Sequence, residues 1–283
     1  MKMKNINIYA FADEASQNID EQILAMNRNG LNGLEIRYVD GVNVSNITKG
    51  KASEVRKKLS DAGLITWSIG SPIGKIDIEK DDFNEHLEKL KHTLEIADIL
   101  DAKNIRLFSF FIPNGKDVDS YKNEVIDRMG KFLELAKGTG INLCHENEKG
   151  IYGDIASRCL EIHKALPDLK GIFDPANFVQ CGQDTIEAWD ILKDHIYYMH
   201  IKDALNEGGV VPAGMGEGNV PYIVNEFINK GGNSFTIEPH LTVFSGLADL
   251  ENDGNTSEIG KKFVYKSNDE AFDAACDAFK AII

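Results

Sequence analysis

Four side chains able to bind a metal ion close four consecutive apolar runs in the second half of the chain. Glu146 follows Asn142-Leu-Cys-His145, Asp174 follows Gly171-Ile-Phe173, His200 follows Tyr197-Tyr-Met199, and Glu238 follows Phe235-Thr-Ile237. Successive members stand roughly one βα unit apart, so neighbouring parallel strands would each deliver one ligand to a common point. Three carboxylates and one imidazole form a hard, oxygen-rich set that suits Mn²⁺ or Mg²⁺, with Co²⁺ and Zn²⁺ within range. A single acid at a strand end is ordinarily just solvated. Four in succession, each ending an apolar run, are poorly explained that way.

Other reactive side chains lie close by in sequence. Lys202 and His240 stand two residues beyond His200 and Glu238, on the same face of their strands, and are expected to meet substrate. Lys202 could instead pair with a carboxylate. Lys75 and Arg37 stand at the ends of the third and second strands, where each could hold a phosphate or carboxylate or form a salt bridge. Strand alternation turns His145 outward, into packing. His86, His92 and His163 fall on helices and are expected to be exposed. Phe11, Phe108 and Phe110 lie near strand ends and are expected to wall the pocket, with Trp67 and Trp189 in the core.

Positioning these groups requires an alternation of strands and helices, and the hydropathy pattern supplies one from end to end. Strands are expected at Ile6–Phe11, Leu34–Val39, Leu64–Ser71, Ile105–Phe110, Ile141–Glu146, Gly171–Asp174, Ile196–Ile201 and Ser234–Glu238. Between them the spacing predicts helices at Asn18–Asn29, Ser53–Ala62, Phe83–Leu100, Tyr121–Lys137, Ile155–Ala165, Thr185–Lys193 and Tyr222–Asn229, and a last one at Asp269–Ile282. Several helices stop at glycine (Gly30, Gly63, Gly138), the usual punctuation before a strand. Eight such repeats predict a single (β/α)₈ barrel over residues 1–283, whose active site lies at the C-terminal strand ends. The first βα turn, Ala10-Phe-Ala-Asp-Glu-Ala15, lacks the glycine-rich fingerprint of a dinucleotide site. The connection 242–265 is too long for a turn, and its apolar Val243, Phe244 and Leu247 suggest a lid.

Composition narrows the partners. The 283 residues are 42% hydrophobic, with 45 acidic against 31 basic side chains and a formal charge of −14. That balance disfavours nucleic acid. No apolar run is long enough to cross a membrane. The four cysteines, Cys144, Cys159, Cys181 and Cys276, form no CxxC or Cys/His cluster, which fits a reduced, cytoplasmic protein. The N-terminal stretch ending at Ala12 mimics a secretion signal, but it is short, contains Asn7, and reads as the first strand.

The motifs Glu146-Asn147, Phe173-Asp-Pro-Ala-Asn177, Met199-His-Ile-Lys-Asp203 and Thr236-Ile-Glu-Pro-His240 resemble, in this order, the xylose isomerase-like barrels called sugar phosphate isomerases/epimerases. Pro212-Ala-Gly-Met-Gly-Glu-Gly218, Gly33-Leu-Glu-Ile-Arg37 and Ser71-Pro-Ile-Gly-Lys75 fit the same pattern. The resemblance implies a small sugar-like substrate, one divalent metal on Glu146, Asp174, His200 and Glu238, and self-association, which is common in the family. In relatives of the ketose 3-epimerase type, the glutamates matching Glu146 and Glu238 also exchange protons with opposite faces of the sugar, through an enediolate. This chain departs from that pattern at Asn177, where a histidine is frequent. An amide can bind a substrate hydroxyl but cannot shuttle a proton, so the full epimerase mechanism is in question. The related trinuclear-zinc DNA-repair enzymes are excluded, because Ser71, Ser109 and Asn177 stand where their histidines would. The expected activity is therefore a metal-dependent isomerase or epimerase. The alternatives are a dehydratase of an inosose- or dehydroshikimate-like substrate, and a non-catalytic sugar-binding barrel.

Overall fold

In the computed structural model, residues 6–244 and 263–283 are described. Most of the connection expected to act as a lid lies outside them. Eight parallel strands close into a barrel in chain order: β1 (Asn7–Ala10), β2 (Gly33–Ile36), β3 (Ile65–Ile69), β4 (Asn104–Leu107), β5 (Asn142–Glu146), β6 (Lys170–Phe173), β7 (Ile196–Ile201) and β8 (Ser234–Ile237). β8 pairs back onto β1, Asn7 opposite Ser234 and Ala10 opposite Ile237. This is the barrel predicted from the alternating pattern.

The enclosing helices are α1 (Ile19–Arg28), α2 (Lys49–Asp61), α3 (Phe83–Leu100), α4 (Lys122–Ala136), α5 (Ala156–Ala165), α6 (Pro175–Gln180), α7 (Thr185–Leu192), α8 (Val220–Lys230) and α9 (Asn268–Lys280). α3 has the predicted bounds; the Asp82 side chain caps its start by accepting from the Asn84 N–H at 2.8 Å. α2 begins a turn earlier than the spacing suggests, because Thr48 caps it through the Lys51 N–H. α6 is absent from the sequence reading. Its six residues are too few for a hydropathy period, but Asp174 and Pro175 form a cap followed by proline. β2 also stops short of its expected end. There Tyr38–Val39 and Val42–Asn43 form a small hairpin over Asp40-Gly41, where both φ angles are positive as a tight hairpin turn requires.

Inside the barrel the side chains form two layers. The lower layer is mainly aromatic and apolar. Tyr9 stacks on Trp67 at 4.7 Å, Trp67 meets Tyr198 edge-on at 5.8 Å, and Cys144 and Ile172 fill the remainder. One step higher the inward positions of β2, β4, β5 and β7 are Glu35, Arg106, Glu146 and His200, all buried.

Two expectations are corrected here. His86 and His163 are buried, at 7% and 2% exposure, because they lie on the inner faces of their helices, His86 in line with Leu90 and Leu94. Phe110 does not wall the pocket, because it packs on Phe83 and Phe132 between barrel and helices.

Candidate metal centre

Strand alternation aims Glu146, His200 and the residues just past β6 and β8, Asp174 and Glu238, at the barrel axis. The structure brings these four together. One candidate ligand atom from each lies within 4.8 Å of every other, and all four residues are buried. Asn147 holds two of the strand ends in register. Its side-chain oxygen accepts from the Asp174 N–H at 2.9 Å, and its amide donates to the Asp174 carbonyl at 2.9 Å. Asn177 completes the clip, donating to the Asn147 carbonyl at 2.8 Å, so its amide is engaged with the scaffold.

Each of the four groups is also gripped from behind. Glu146 Oε2 accepts from Arg106 Nη1 at 3.0 Å, and Asp174 Oδ1 accepts from the Asn177 N–H at 2.9 Å. His200 Nε2 faces Glu35 Oε2 at 3.1 Å, and Glu238 Oε1 accepts from Arg37 Nη1 at 3.4 Å. The complementary atoms are Glu146 Oε1, Asp174 Oδ2, His200 Nδ1 and Glu238 Oε2. They are left for one another and for Lys202: His200 Nδ1 is 2.8 Å from Glu146 Oε1 and 3.5 Å from Glu238 Oε2. Lys202 Nζ lies 2.9 Å from Asp174 Oδ2 and 3.0 Å from Glu238 Oε2. Asp174 Oδ2 nevertheless has no hydrogen bond of acceptable angle. The Lys202 contact is therefore an attraction of charges, and the oxygen keeps a lone pair uncommitted.

Such a donor set fits a divalent cation. Six buried carboxylates meet here, Asp13, Glu14, Glu35, Glu146, Asp174 and Glu238, against three buried permanent cations, Arg37, Arg106 and Lys202. The excess of negative charge in a dry space needs a further cation or protons. Its strain shows at Asp174, whose pKa is pushed up to about 7, first by burial and then by Glu238 and Glu146, against the pull of Lys202. Burial also pushes Glu238 upward, but Lys202, His240 and His200 outweigh it and hold this carboxyl well below the usual range. Burial opposes charge on the His200 ring, yet Glu146 and Glu35 raise its pKa well above that of ordinary imidazole. With the ring nitrogen nearest Glu146 given to a metal, the other would keep its proton and donate it to Glu35, the carboxylate–histidine arrangement that orients a metal-bound imidazole.

The remaining predicted residues are placed as follows. Arg37 is spent in a buried network with Asp13 at 2.8 Å and Glu14 at 3.0 Å. His240 joins it, with Nδ1 3.0 Å from Glu14 Oε1. Glu14, Glu238 and His240 also converge, but the Arg37 guanidinium already supplies their positive charge. Lys75 pairs with Glu148 at 2.8 Å and lies 4.6 Å above the Phe108 ring. Phe11 lies beneath Arg37 and Arg106 and meets His200 edge-on at 5.3 Å. His145 points outward as expected and is hydrogen-bonded to Ser109 Oγ at 3.0 Å.

Sequence reasoning missed Glu35, Arg106 and the Asp13–Glu14 pair. A signal existed for Arg106, a charge between Ile105 and Leu107 inside an apolar run. Asp203 closes the Met199-His-Ile-Lys-Asp203 motif. Its carboxylate accepts the backbone N–H groups of Ala204, Gly214, Gly216 and Gly218 at 2.8–3.0 Å, pinning the glycine-rich loop beside the mouth. A Cβ at Gly216 would lie 2.4 Å from an Asp203 oxygen, which accounts for glycine there.

The profile of the xylose isomerase-like TIM barrel family matches residues 23–251. No curated protein sequence matches the chain. Among solved structures, the chain is similar to the probable 3-DHS dehydratase AsbF of Bacillus anthracis, with a TM-score of 0.74 at 15% identity, covering 97% of this chain and 99% of that one. The IOLI protein with a bound zinc atom gives 0.74 at 12% identity, covering 98% of each chain. D-psicose 3-epimerase of Clostridium cellulolyticum H10, solved with D-tagatose, gives 0.72 at 14% identity, covering 98% of this chain and 99% of that one. At these identities the likeness is one of fold.

Proposed function

This chain belongs to the xylose isomerase-like TIM barrel family, and from that premise we propose that it is a divalent-metal-dependent isomerase or epimerase of a small polyhydroxylated carbonyl compound. One observation carries the reading: four buried groups on successive strands are each held from behind, with a second donor atom left toward their common point. The fold supplies only the setting, since many chemistries share it. Three carboxylates and an imidazole favour Mn²⁺ or Mg²⁺. Zinc and cobalt are within range, and the similar IOLI protein holds zinc. A bound ion would supply Lewis-acid stabilisation of charge growing on a substrate carbonyl oxygen.

The protein's own groups handle the proton. Glu238, held ionised by Lys202, His240 and His200 against burial, is in the form that accepts a proton from the carbon beside the carbonyl. Glu146, three strands away around the barrel and anchored by Arg106, would return one. Arg37 and Arg106 prevent either carboxylate from turning away. The family likeness suggests a sugar, and D-psicose 3-epimerase shares the architecture.

Asn177 favours a second reading, dehydration. It stands three residues past Asp174 with its amide bound to the Asn147 carbonyl, so it has no proton to deliver. AsbF, a probable dehydratase, has the same fold. There the same abstraction would be followed by loss of a β-hydroxyl. The test is deuterium wash-in from D₂O with Mn²⁺ present, over ketoses, inososes and hydroxy-acids. Exchange at a carbon next to the carbonyl is expected, falling by ~10²–10⁴ in Glu146→Gln or Glu238→Gln even at saturating metal. Asp174→Asn should recover most of its exchange once excess metal is supplied. Loss of water in the product identifies the dehydratase. Binding with neither exchange nor product formation in the wild type leaves only a sugar-binding barrel.

A further inference from the structure

We propose that Lys202 is a built-in counter-ion that competes with the metal for Asp174 and Glu238 and so sets how tightly the ion is held; this rests on the metal reading above. Lys202 follows β7 directly and is two residues beyond His200, so alternation aims it inward. Its side chain is 7% exposed, an unusual depth for lysine. Its ammonium forms ion pairs with Asp174 Oδ2 at 2.9 Å and Glu238 Oε2 at 3.0 Å, the oxygens left toward the common point. The other oxygen of each carboxylate is already taken, by the Asn177 N–H and by Arg37.

Metal and ammonium therefore draw on the same two atoms. An oxygen that neutralises an ammonium has less charge to give a metal, and a positive charge a few ångströms from a divalent ion repels it strongly where water is excluded. The two contacts differ in character. Glu238 accepts a hydrogen bond from Lys202, whereas Asp174 is held by charge without hydrogen-bond geometry. Asp174 is thus the oxygen easiest for the ammonium to give up. Glu148, which pairs with Lys75, also acts electrostatically on Lys202 and offers the ammonium a third acid. Lys202 acts through the ion rather than on substrate, so it is a positioning residue. It weakens the hold of a strongly acidic pocket on its ion.

The test is Mn²⁺ titration of chelator-treated wild type, Lys202→Met, Lys202→Gln and Lys202→Arg. The two uncharged variants should bind Mn²⁺ at least tenfold more tightly than wild type, while Lys202→Arg, which keeps the charge, stays within about threefold. If Lys202→Met folds only with metal present, transfer of preloaded Mn²⁺ to excess chelator reads the same quantity and should be at least tenfold slower. Unchanged or weaker binding in both uncharged variants overturns the inference and leaves the metal reading standing. A wild type and variants that all fail to bind Mn²⁺ overturn both.

Discussion

The two halves of the barrel interior solve the same packing problem with opposite materials. Below, Tyr9, Trp67, Cys144, Ile172 and Tyr198 fill the space with rings and apolar groups. Above, β2, β4, β5 and β7 turn Glu35, Arg106, Glu146 and His200 inward, and every one is buried. Burial of ion pairs is rarely the most stable way to fill a core, because desolvation offsets much of the attraction. An apolar upper layer would serve the fold at least as well. The charged layer is therefore the part of the interior that stability alone does not explain, and it is where the proposed metal site lies. Glu35 stands on the border: its Oε1 accepts from the Tyr198 hydroxyl at 3.0 Å below, and its Oε2 faces His200 above.

The sharpest way to break this contrast is a crossed pair of substitutions. Trp67→Ala should cost about 3 kcal/mol of stability, the low end for a ring that is only partly buried, while leaving Mn²⁺ affinity within about threefold, as none of the ring contacts described above is to a metal-facing group. Glu35→Gln should do the reverse, weakening Mn²⁺ binding by about 10–100-fold with a far smaller change in Tm. Calorimetric titration and thermal melts on both proteins check this. If Trp67→Ala weakens metal binding as much as Glu35→Gln does, the layers do not divide the labour as described.

A smaller effect concerns histidines outside the barrel. Burial lowers His86 to about 4, and its Nδ1 accepts the Gly74 N–H at 3.0 Å, which requires an unprotonated nitrogen. Burial likewise lowers His163 to about 4. In both, the unfolded chain takes up the proton first. The stability they contribute is therefore complete above pH 6.5 and is lost as pH falls toward 4, by about 1 kcal/mol each at pH 5.5. Denaturant melts between pH 7 and 5 should show this decline, and His86→Gln should flatten it. An equally steep decline in the variant would exclude His86 as a source.

The contrast also explains what could be read in the sequence. Glu146, Asp174, His200 and Glu238 were legible because each closes an apolar run, and a parallel barrel turns such ends into neighbours. Glu35 was not, although alternation along β2 puts it on the same face as Arg37, because the Tyr198 and His200 that engage it come from β7, distant in sequence. Arg37 and His240 were legible as candidates but not as partners, because the Asp13–Glu14 pair that engages them comes from the first βα turn, distant in sequence. His86 and His163 were misread because a histidine on a helix face reveals its depth only when its neighbours are counted at helical spacing. α6 was missed for its brevity, although Asp174 followed by Pro175 marks its start.

The four strand-end groups are proposed to hold one metal ion between them. The most direct test is Mn²⁺ binding to chelator-treated protein, by calorimetry and by electron paramagnetic resonance, in wild type and in Glu146→Gln, Asp174→Asn, His200→Gln and Glu238→Gln. One ion per chain is expected in the wild type, with an affinity at least about tenfold weaker in each variant, because a neutral amide is a poorer ligand for a hard cation. Absence of binding in the wild type, or binding that all four substitutions leave untouched, would contradict the proposal.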